Sequence, residues 1–205
     1  MNSEIEKEVR FPANKKIFEV VRSISSPVQG AERTIDIVMG LYGFNSLDRL
    51  GYICRIRSIK GNWILECKRR ENDVKWSEQR INIPSPKVGF HFLSLMGFKP
   101  YLPIDRIREI RKVGNLKFFL DEIPALENMT YQGKDLTGCF LEIEFKKQSD
   151  LDAFLDKNLN LIGIMDDRLE PYGYIFKEMI NNDESFKKTI DAELFRLLNA
   201  DNLYA

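Results

Sequence analysis

The 205-residue chain lacks a charge excess of either sign: lysine plus arginine equals aspartate plus glutamate, at 31 each. That balance argues against a protein that coats long nucleic acid or an anionic membrane, since either needs a basic surplus. A local basic site for a small polyanion stays compatible with it. Histidine is nearly absent. His91 stands alone in the apolar stretch GFHFLSLMGF and reads as a packing or surface residue rather than a catalytic one. Cysteine is scarce and odd in number. Cys54, Cys67 and Cys139 have neither zinc-site nor disulfide-scaffold spacing, so reduced core thiols are expected. No apolar run approaches the ~20 residues that span a bilayer, and the N-terminus has no apolar signal-peptide core. The expectation is a cytoplasmic protein with no membrane partner. No GxxxxGK[ST] loop occurs, so a P-loop nucleotide site is not supported.

What is present is enough to fold. Hydrophobic residues make up 43% and charged residues 30% of the chain, which allows a buried core. NKKIFEVVRSI has helical spacing, SSPVQG reads as a turn, and TIDIVMG as a short strand. GYICRIRS and NWILECKRR read as a hairpin around Lys60-Gly61-Asn62. VKWSEQRINI is a further strand. SPKVGFHFLSLMGF is predicted to be a helix starting near Ser85 and stopping at Gly97. PIDRIREIRKV and NLKFFLDEI form a second hairpin around Gly114, and CFLEIEF is a strand. SDLDAFLDKNLNLIG is predicted to be a helix with Ser149 as its N-cap, ending at Gly163. YGYIFKEMI and ESFKKTIDAELFRLLNA are helical, the latter with an apolar stripe through Phe186, Ile190, Leu194 and Leu197. Packing on its own domain is the expected role of that stripe, with a homodimer contact as the alternative.

Side chains alternate across a strand, and sorting by parity gives one recurring pattern. Glu4, Glu6, Glu8 and Arg10 share a face, as do Arg55 and Arg57. Glu66, Lys68 and Arg70 oppose Trp63, Leu65 and Cys67, so Cys67 is expected in the helix layer. Trp76, Glu78, Arg80 and Asn82 share a face, and so do Arg106 and Arg108. Lys117, Phe119 and Asp121 oppose Phe118 and Leu120. Glu142 and Glu144 oppose Leu141, Ile143 and Phe145. One such strand is a solvated surface. Six or seven, each with an apolar reverse, predict a sheet curled into a barrel or tunnel with helices outside. Glu6, Glu8, Asp121, Glu142 and Glu144 form an acidic set suited to Mg²⁺ or Mn²⁺, hard cations that prefer oxygen. Arg55, Arg57, Lys68, Arg70, Arg106 and Arg108 form a basic set suited to phosphate oxygens. Together they fit a metal–polyphosphate ligand. Glu66, Glu78, Arg80 and Lys117 are candidate lining residues.

These segments resemble the CYTH domain, or triphosphate tunnel metalloenzyme superfamily, which includes class IV adenylyl cyclases and thiamine triphosphatases. Glu6-Lys7-Glu8-Val9-Arg10-Phe11 is similar to its ExExK strand, with arginine in the lysine place. CRIRSIKGNWILECK is similar to its RxR strand, turn and lysine-ending strand. DRIREIRKVGNLKFFLDE matches its KxR and LDE segments, and FLEIEF its late ExE strand. A tyrosine-containing helix often follows, as in EPYGYIFKEMI. The resemblance covers roughly residues 4 to 180.

It implies an α+β fold with an eight-stranded antiparallel closed β-barrel, the tunnel, and helices packed outside. It also implies a tunnel domain over 1–181, with 182–205 as a helical extension packed on it. The implied activity is a metal-dependent phosphohydrolase for inorganic triphosphate, thiamine triphosphate or a nucleoside triphosphate. An adenylyl cyclase is the alternative, and a binding module with little turnover a further one. By carry-over, Glu6, Glu8, Asp121, Glu142 and Glu144 hold metal, Arg55, Arg57, Lys68, Arg106 and Arg108 hold phosphates, and Glu6, Glu8 and Arg10 take part in catalysis. Three departures stand out. Arg10 cannot easily act as a general base. TIDIVMG keeps only Asp36 of a QxDxYxD-like strand. Arg111 sits where a tyrosine is frequent.

Overall fold

The computed structural model describes residues 7–41, 52–70, 76–158, 169 and 172–199. The strands are β1 (Lys7–Ala13), β2 (Ser26–Leu41), β3 (Tyr52–Ile59), β4 (Asn62–Arg70), β5 (Trp76–Ile83), β6 (Phe98–Val113), β7 (Leu116–Tyr131) and β8 (Lys134–Phe145). The helices are α1 (Lys15–Ile24), α2 (Pro86–Leu95), α3 (Gln148–Lys157), α4 (Tyr172–Asn182) and α5 (Glu184–Asn199). The strands form one sheet in the order β1-β8-β7-β6-β2-β3-β4-β5. The expected closed barrel is therefore corrected: β1 and β5 end the order, and no ladder joins them among the described residues. Strand parity dictates which side chains share a face, but nothing in it requires the two edges to pair.

The chain divides into two compact units, one of residues 1–33 and 106–175, the other of 34–105 and 176–205. In the first, β1 pairs antiparallel with β8, β8 with β7, and β7 with β6. The apolar parity of these strands builds its core. Phe11 and Ala13, Leu116, Phe118 and Leu120, and Cys139, Leu141, Ile143 and Phe145 pack with Phe18 and Val21 of α1 and Leu151 and Phe154 of α3. Asn14 caps α1, its Oδ1 accepting from the Ile17 amide at 3.0 Å. Arg111 closes the other end of that helix, donating to the carbonyls of Arg22 and Ser25 at 3.0 and 2.6 Å. Carbonyls left over at a helix end need such a donor, which gives arginine at this position a structural task.

In the second unit, β2, β3, β4 and β5 pair antiparallel in succession. The β3–β4 hairpin turns on Lys60 and Gly61, both with positive φ, the geometry of a two-residue turn whose twist matches the strands. Helix α2 starts at Ser85, which accepts from the Val88 amide, and packs on β3, β4, β5 and α5. Gly89 permits this approach, because a Cβ there would sit 2.6 Å from Ile83 Cδ1 and 3.2 Å from Ile56 Cγ1. Of the apolar residues Phe92, Leu93, Leu95 and Met96 in and just after α2, Leu93 is buried and the other three are exposed; one face of a ten-residue helix is enough to cover the sheet. The α5 stripe of Phe186, Ile190, Leu194 and Leu197 is buried as expected. No described helix is long and apolar enough to cross a membrane.

Three local expectations are corrected. SSPVQG is the start of the 16-residue strand β2 rather than a turn; its Pro27 and Gly30 lie in an exposed stretch, where a missing donor is tolerable. Ser149 lies inside α3, whose N-cap is Lys147 with no side-chain cap bond. That helix ends at Lys157, and 159–163 lie outside the described residues. β7 and β8 extend beyond the expected strands to a hairpin at Gln132-Gly133, again both with positive φ.

Candidate functional site: two charged sheet faces

In the first unit, the polar parity of β1, β8, β7 and β6 sets charges in cross-strand rows. Glu8 lies opposite Glu144, and Glu144 opposite Lys117. One step along, Arg10 lies opposite Glu142, and Glu142 opposite Phe119. One step further, Phe140 lies opposite Asp121, and Asp121 opposite Arg108. Register thus places partners side by side before any side chain chooses a rotamer. Arg108 clamps Asp121 bidentately, Nε to Oδ1 at 2.6 Å and Nη2 to Oδ2 at 2.5 Å, and reaches Glu142 Oε2 at 3.4 Å. Arg10 donates from Nε to Glu142 at 2.7 Å and from Nη2 to Glu8 at 2.6 Å. Lys117 Nζ donates to Glu144 at 3.1 Å.

The rows grade from wet to dry. The side chains of Glu8 and Lys117 are 50% and 41% exposed and that of Glu144 21%, whereas Asp121 is fully buried. Tyr172, in the first turn of α4, closes the dry end. Its hydroxyl donates to Asp121 Oδ2 at 2.8 Å, its ring meets Phe140 edge-on, and the Arg10 and Arg106 guanidiniums lie 5.3 and 6.0 Å from its centroid. Arg106 is buried here as well. Burial alone would push the Asp121 carboxyl up, but Arg108 beside it wins and holds it below its ordinary value. Burial likewise favours loss of the Arg10 and Arg108 protons, and their carboxylate partners outweigh it, raising both. Burial, then Asp121 and Glu142, raise Tyr172 well above the usual phenol value. At physiological pH Arg10 and Arg108 are cations and Tyr172 a neutral donor, so none of these three is a general base, and the oxygens of the Asp121 anion are already engaged by Arg108 and Tyr172.

In the second unit, Asp36 of β2 lies opposite Arg57, Arg55 opposite Glu66, Glu66 opposite Arg80, and Lys68 opposite Glu78. Arg57 grips Asp36 through Nε at 2.5 Å and Nη2 at 2.8 Å. Glu66, almost fully buried, is shared by Arg55, by Arg57 at 3.5 Å and by Arg80 at 2.9 Å. Lys68 pairs with Glu78 at 3.0 Å, and Glu78 is held below its ordinary value, with Lys68 and Arg80 overcoming its desolvation. Among the described residues this face sets four cations, Arg55, Arg57, Lys68 and Arg80, against three carboxylates, Asp36, Glu66 and Glu78. Its outer members, Lys68 and Arg80, are the more exposed, at 34% and 54% of their side chains.

The structure thus gathers the expected residues in two groups. Glu8, Arg10, Arg106, Arg108, Lys117, Asp121, Glu142 and Glu144 lie in one unit, and Arg55, Arg57, Glu66, Lys68, Glu78 and Arg80 in the other. Glu6 and the Arg70 side chain lie outside the described residues. Two participants escaped selection as site residues. Asp36 is the lone acid in the apolar run TIDIV and the one residue kept from the QxDxYxD-like strand, and those were its signals. Tyr172 carried none beyond its place in a tyrosine-containing helix.

A hard divalent cation fits part of this set. Like charges directly opposite in a ladder are destabilising, and Glu8 faces Glu144 at the accessible end, with oxygen donors alone. Two carboxylates suit Mg²⁺ or Mn²⁺, which commonly takes one or two protein carboxylates plus substrate oxygens. They do not form an all-protein cage: no group of three or more His, Cys, Asp or Glu able to hold a metal occurs among the described residues. Asp121 is poorly placed for that role, since both oxygens are engaged by Arg108 and Tyr172.

By sequence, no family model and no curated protein matches the chain. Solved structures do. The PH1819 protein from Pyrococcus horikoshii superposes with a TM-score of 0.61 at 24% identity, over 84% of this chain and 98% of that one. A candidate adenylate cyclase from Vibrio parahaemolyticus gives 0.59 at 17% identity, over 85% and 98%. The HpAC1 protein from Hippeastrum, described as a candidate adenylyl cyclase with a dominant triphosphatase activity, gives 0.51 at 15% identity, over 78% and 88%. The chain therefore shares the fold of these solved structures.

Proposed function

We propose that the chain is a divalent-metal-dependent phosphohydrolase for a triphosphate-containing substrate, with inorganic triphosphate, thiamine triphosphate and nucleoside triphosphates as the candidate class. The carrying observation is the ladder of β3, β4 and β5, which gathers Arg55, Arg57, Lys68 and Arg80 on one face, with Lys68 and Arg80 its more exposed members. Stability does not explain such a face. Exposed ion pairs contribute about 0–1 kcal/mol, and buried ones often gain nothing over apolar residues of the same size. A polyphosphate supplies the anionic oxygens that such an array binds bidentately. The triphosphatase activity attributed to HpAC1 supports hydrolysis over cyclisation, and the name of the Vibrio protein keeps an adenylyl cyclase as second reading. Residues 1–181 are proposed to act as the functional domain and 182–205 as its packed extension.

Phosphoryl transfer needs positioning and charge neutralisation more than covalent chemistry. In this reading Arg55, Arg57, Lys68 and Arg80 hold phosphate oxygens and orient the chain of phosphates. Glu8 and Glu144, with Glu142 behind them, hold Mg²⁺ or Mn²⁺, and Glu6 is proposed to join them. When bound, the ion supplies positive charge to the phosphate oxygens and Lewis acidity. Arg10 stays protonated between Glu8 and Glu142 and fixes the direction of both carboxylates. Arg108 and Asp121 keep Glu142 in place from the dry side. Any proton taken from the attacking water goes to an accessible carboxylate, with Glu8 the most exposed candidate among the described residues.

Purified protein incubated with tripolyphosphate, thiamine triphosphate or ATP, each with Mg²⁺ or Mn²⁺, distinguishes the readings. Release of inorganic phosphate is the expected result. Cyclic AMP with pyrophosphate from ATP supports the second reading, and calorimetric binding without product reduces the chain to a binding module.

A further inference from the structure

Cys54 of β3 and Cys67 of β4 are directly opposed in the ladder, and their sulfurs lie 2.9 Å apart with both thiols free. Opposed residues of an antiparallel pair have Cα atoms about 4.5–5.5 Å apart. That lies inside the ~4.4–6.8 Å over which a disulfide forms without moving the backbone. Both side chains sit on the apolar parity of their strands, directly behind Arg55, Glu66 and Lys68. Cys54 is buried and Cys67 only partly so, which makes Cys67 the more exposed of the two. The hydrogen bond between them divides their chemistry: it pulls the Cys67 thiol down to about 7 and, with burial, pushes the Cys54 thiol up. An accessible thiolate beside a protected thiol is the arrangement of an attacking and a resolving cysteine.

We propose that Cys54 and Cys67 are a reversible oxidation site, closing into an intrachain cross-strand disulfide when the chain meets a peroxide. The Cys67 thiolate attacks one peroxide oxygen; the S–O bond forms, the O–O bond breaks, and hydroxide leaves to take up a proton. The Cys54 sulfur then attacks the resulting sulfenic acid; the S–S bond forms, the S–O bond breaks, and the sulfenic hydroxyl departs as water with the Cys54 proton. Two thiols and one hydrogen peroxide give one disulfide and two waters. The bond pins the β3–β4 register from behind the cation-rich face. It does not depend on the triphosphate reading.

The test uses the full chain and hydrogen peroxide. Thiols remaining after treatment are alkylated in denaturant, and the protein is digested with trypsin without reductant. Arg55, Arg57 and Lys60 lie between the two cysteines, so cleavage separates them unless they are bonded. The expected product is a Cys54–Cys67 linked peptide lacking two hydrogen atoms, with only Cys139 alkylated and all three thiols restored by dithiothreitol. In Cys54→Ser, dimedone should trap a sulfenic acid at Cys67. Three alkylated thiols after peroxide, a bond to Cys139 or between chains, or sulfinic acid at Cys67 with Cys54 still alkylated would overturn the proposal, and the wild-type result stands whether or not the variant folds.

Discussion

Asp121 shows how a single side chain is committed by its neighbours. Its two oxygens accept from Arg108 and Tyr172, and its carboxyl is held below its ordinary value. A folded-state pKa below the unfolded ~3.9 contributes stability that is fully present above that value and lost as pH falls through the lower one. Asp121→Asn is expected to destabilise the protein by about 3–5 kcal/mol at pH 7, because it leaves Arg108 buried with a weaker partner. The difference from wild type should shrink below about pH 4, where the carboxyl of the unfolded chain begins to protonate while the native one stays ionised. Urea unfolding at a series of pH values measures both; a difference that stays constant down to pH 2 would contradict the assignment. At this scale the sequence told which residues alternate and hence that Asp121 joins Lys117 on the polar side. It could not tell that Tyr172, 51 positions away, would occupy the carboxylate, because a side-chain contact between distant elements leaves no periodic trace.

Elements were the most legible scale. The Lys60-Gly61 and Gly114 turns, the Ser85 cap and the alternation of β3, β4, β7 and β8 all follow from local chemistry. The failures have local causes too. Glycine and proline in SSPVQG mimic a turn while forming the exposed start of β2, and Ser149 looks like a cap but lies two residues past the actual cap, Lys147. The β7–β8 hairpin beyond residue 122 hid because its strands are irregular. The register shifts between Glu122 and Glu127, and opposite that stretch Gly138 takes a φ of 72°. A Cβ at Gly138 would lie 3.1 Å from the Ile123 carbonyl oxygen and 3.2 Å from Glu127 Cβ, so strain and contact act together. Gly138→Ala is expected to cost about 1–3 kcal/mol, read as a lower thermal midpoint with an unchanged circular dichroism spectrum. An unshifted midpoint would show that the bulge relaxes freely.

At the scale of the whole molecule, the sequence conveyed the eight strands' polar and apolar sides but not the sheet's edges. Closure depends on hydrogen bonds between first and last strands, and those are backbone groups that every residue carries. The charged faces survive this correction, since each is built by register within its own unit. In the proposed function, Arg55, Arg57, Lys68 and Arg80 take the phosphates, and the Glu8–Glu144 pair takes a divalent ion. If both sets serve one reaction, neutralising either should stop it without unfolding the chain. The decisive measurement is the rate of phosphate release from tripolyphosphate with Mn²⁺ present, for wild type, Arg57→Ala and Glu144→Gln, each checked for folding. Release by wild type that ceases with chelator and falls about 100-fold or more in both variants, roughly 3 kcal/mol of lost transition-state stabilisation, is the predicted result. Equal rates in all three, or release indifferent to chelator, would contradict it.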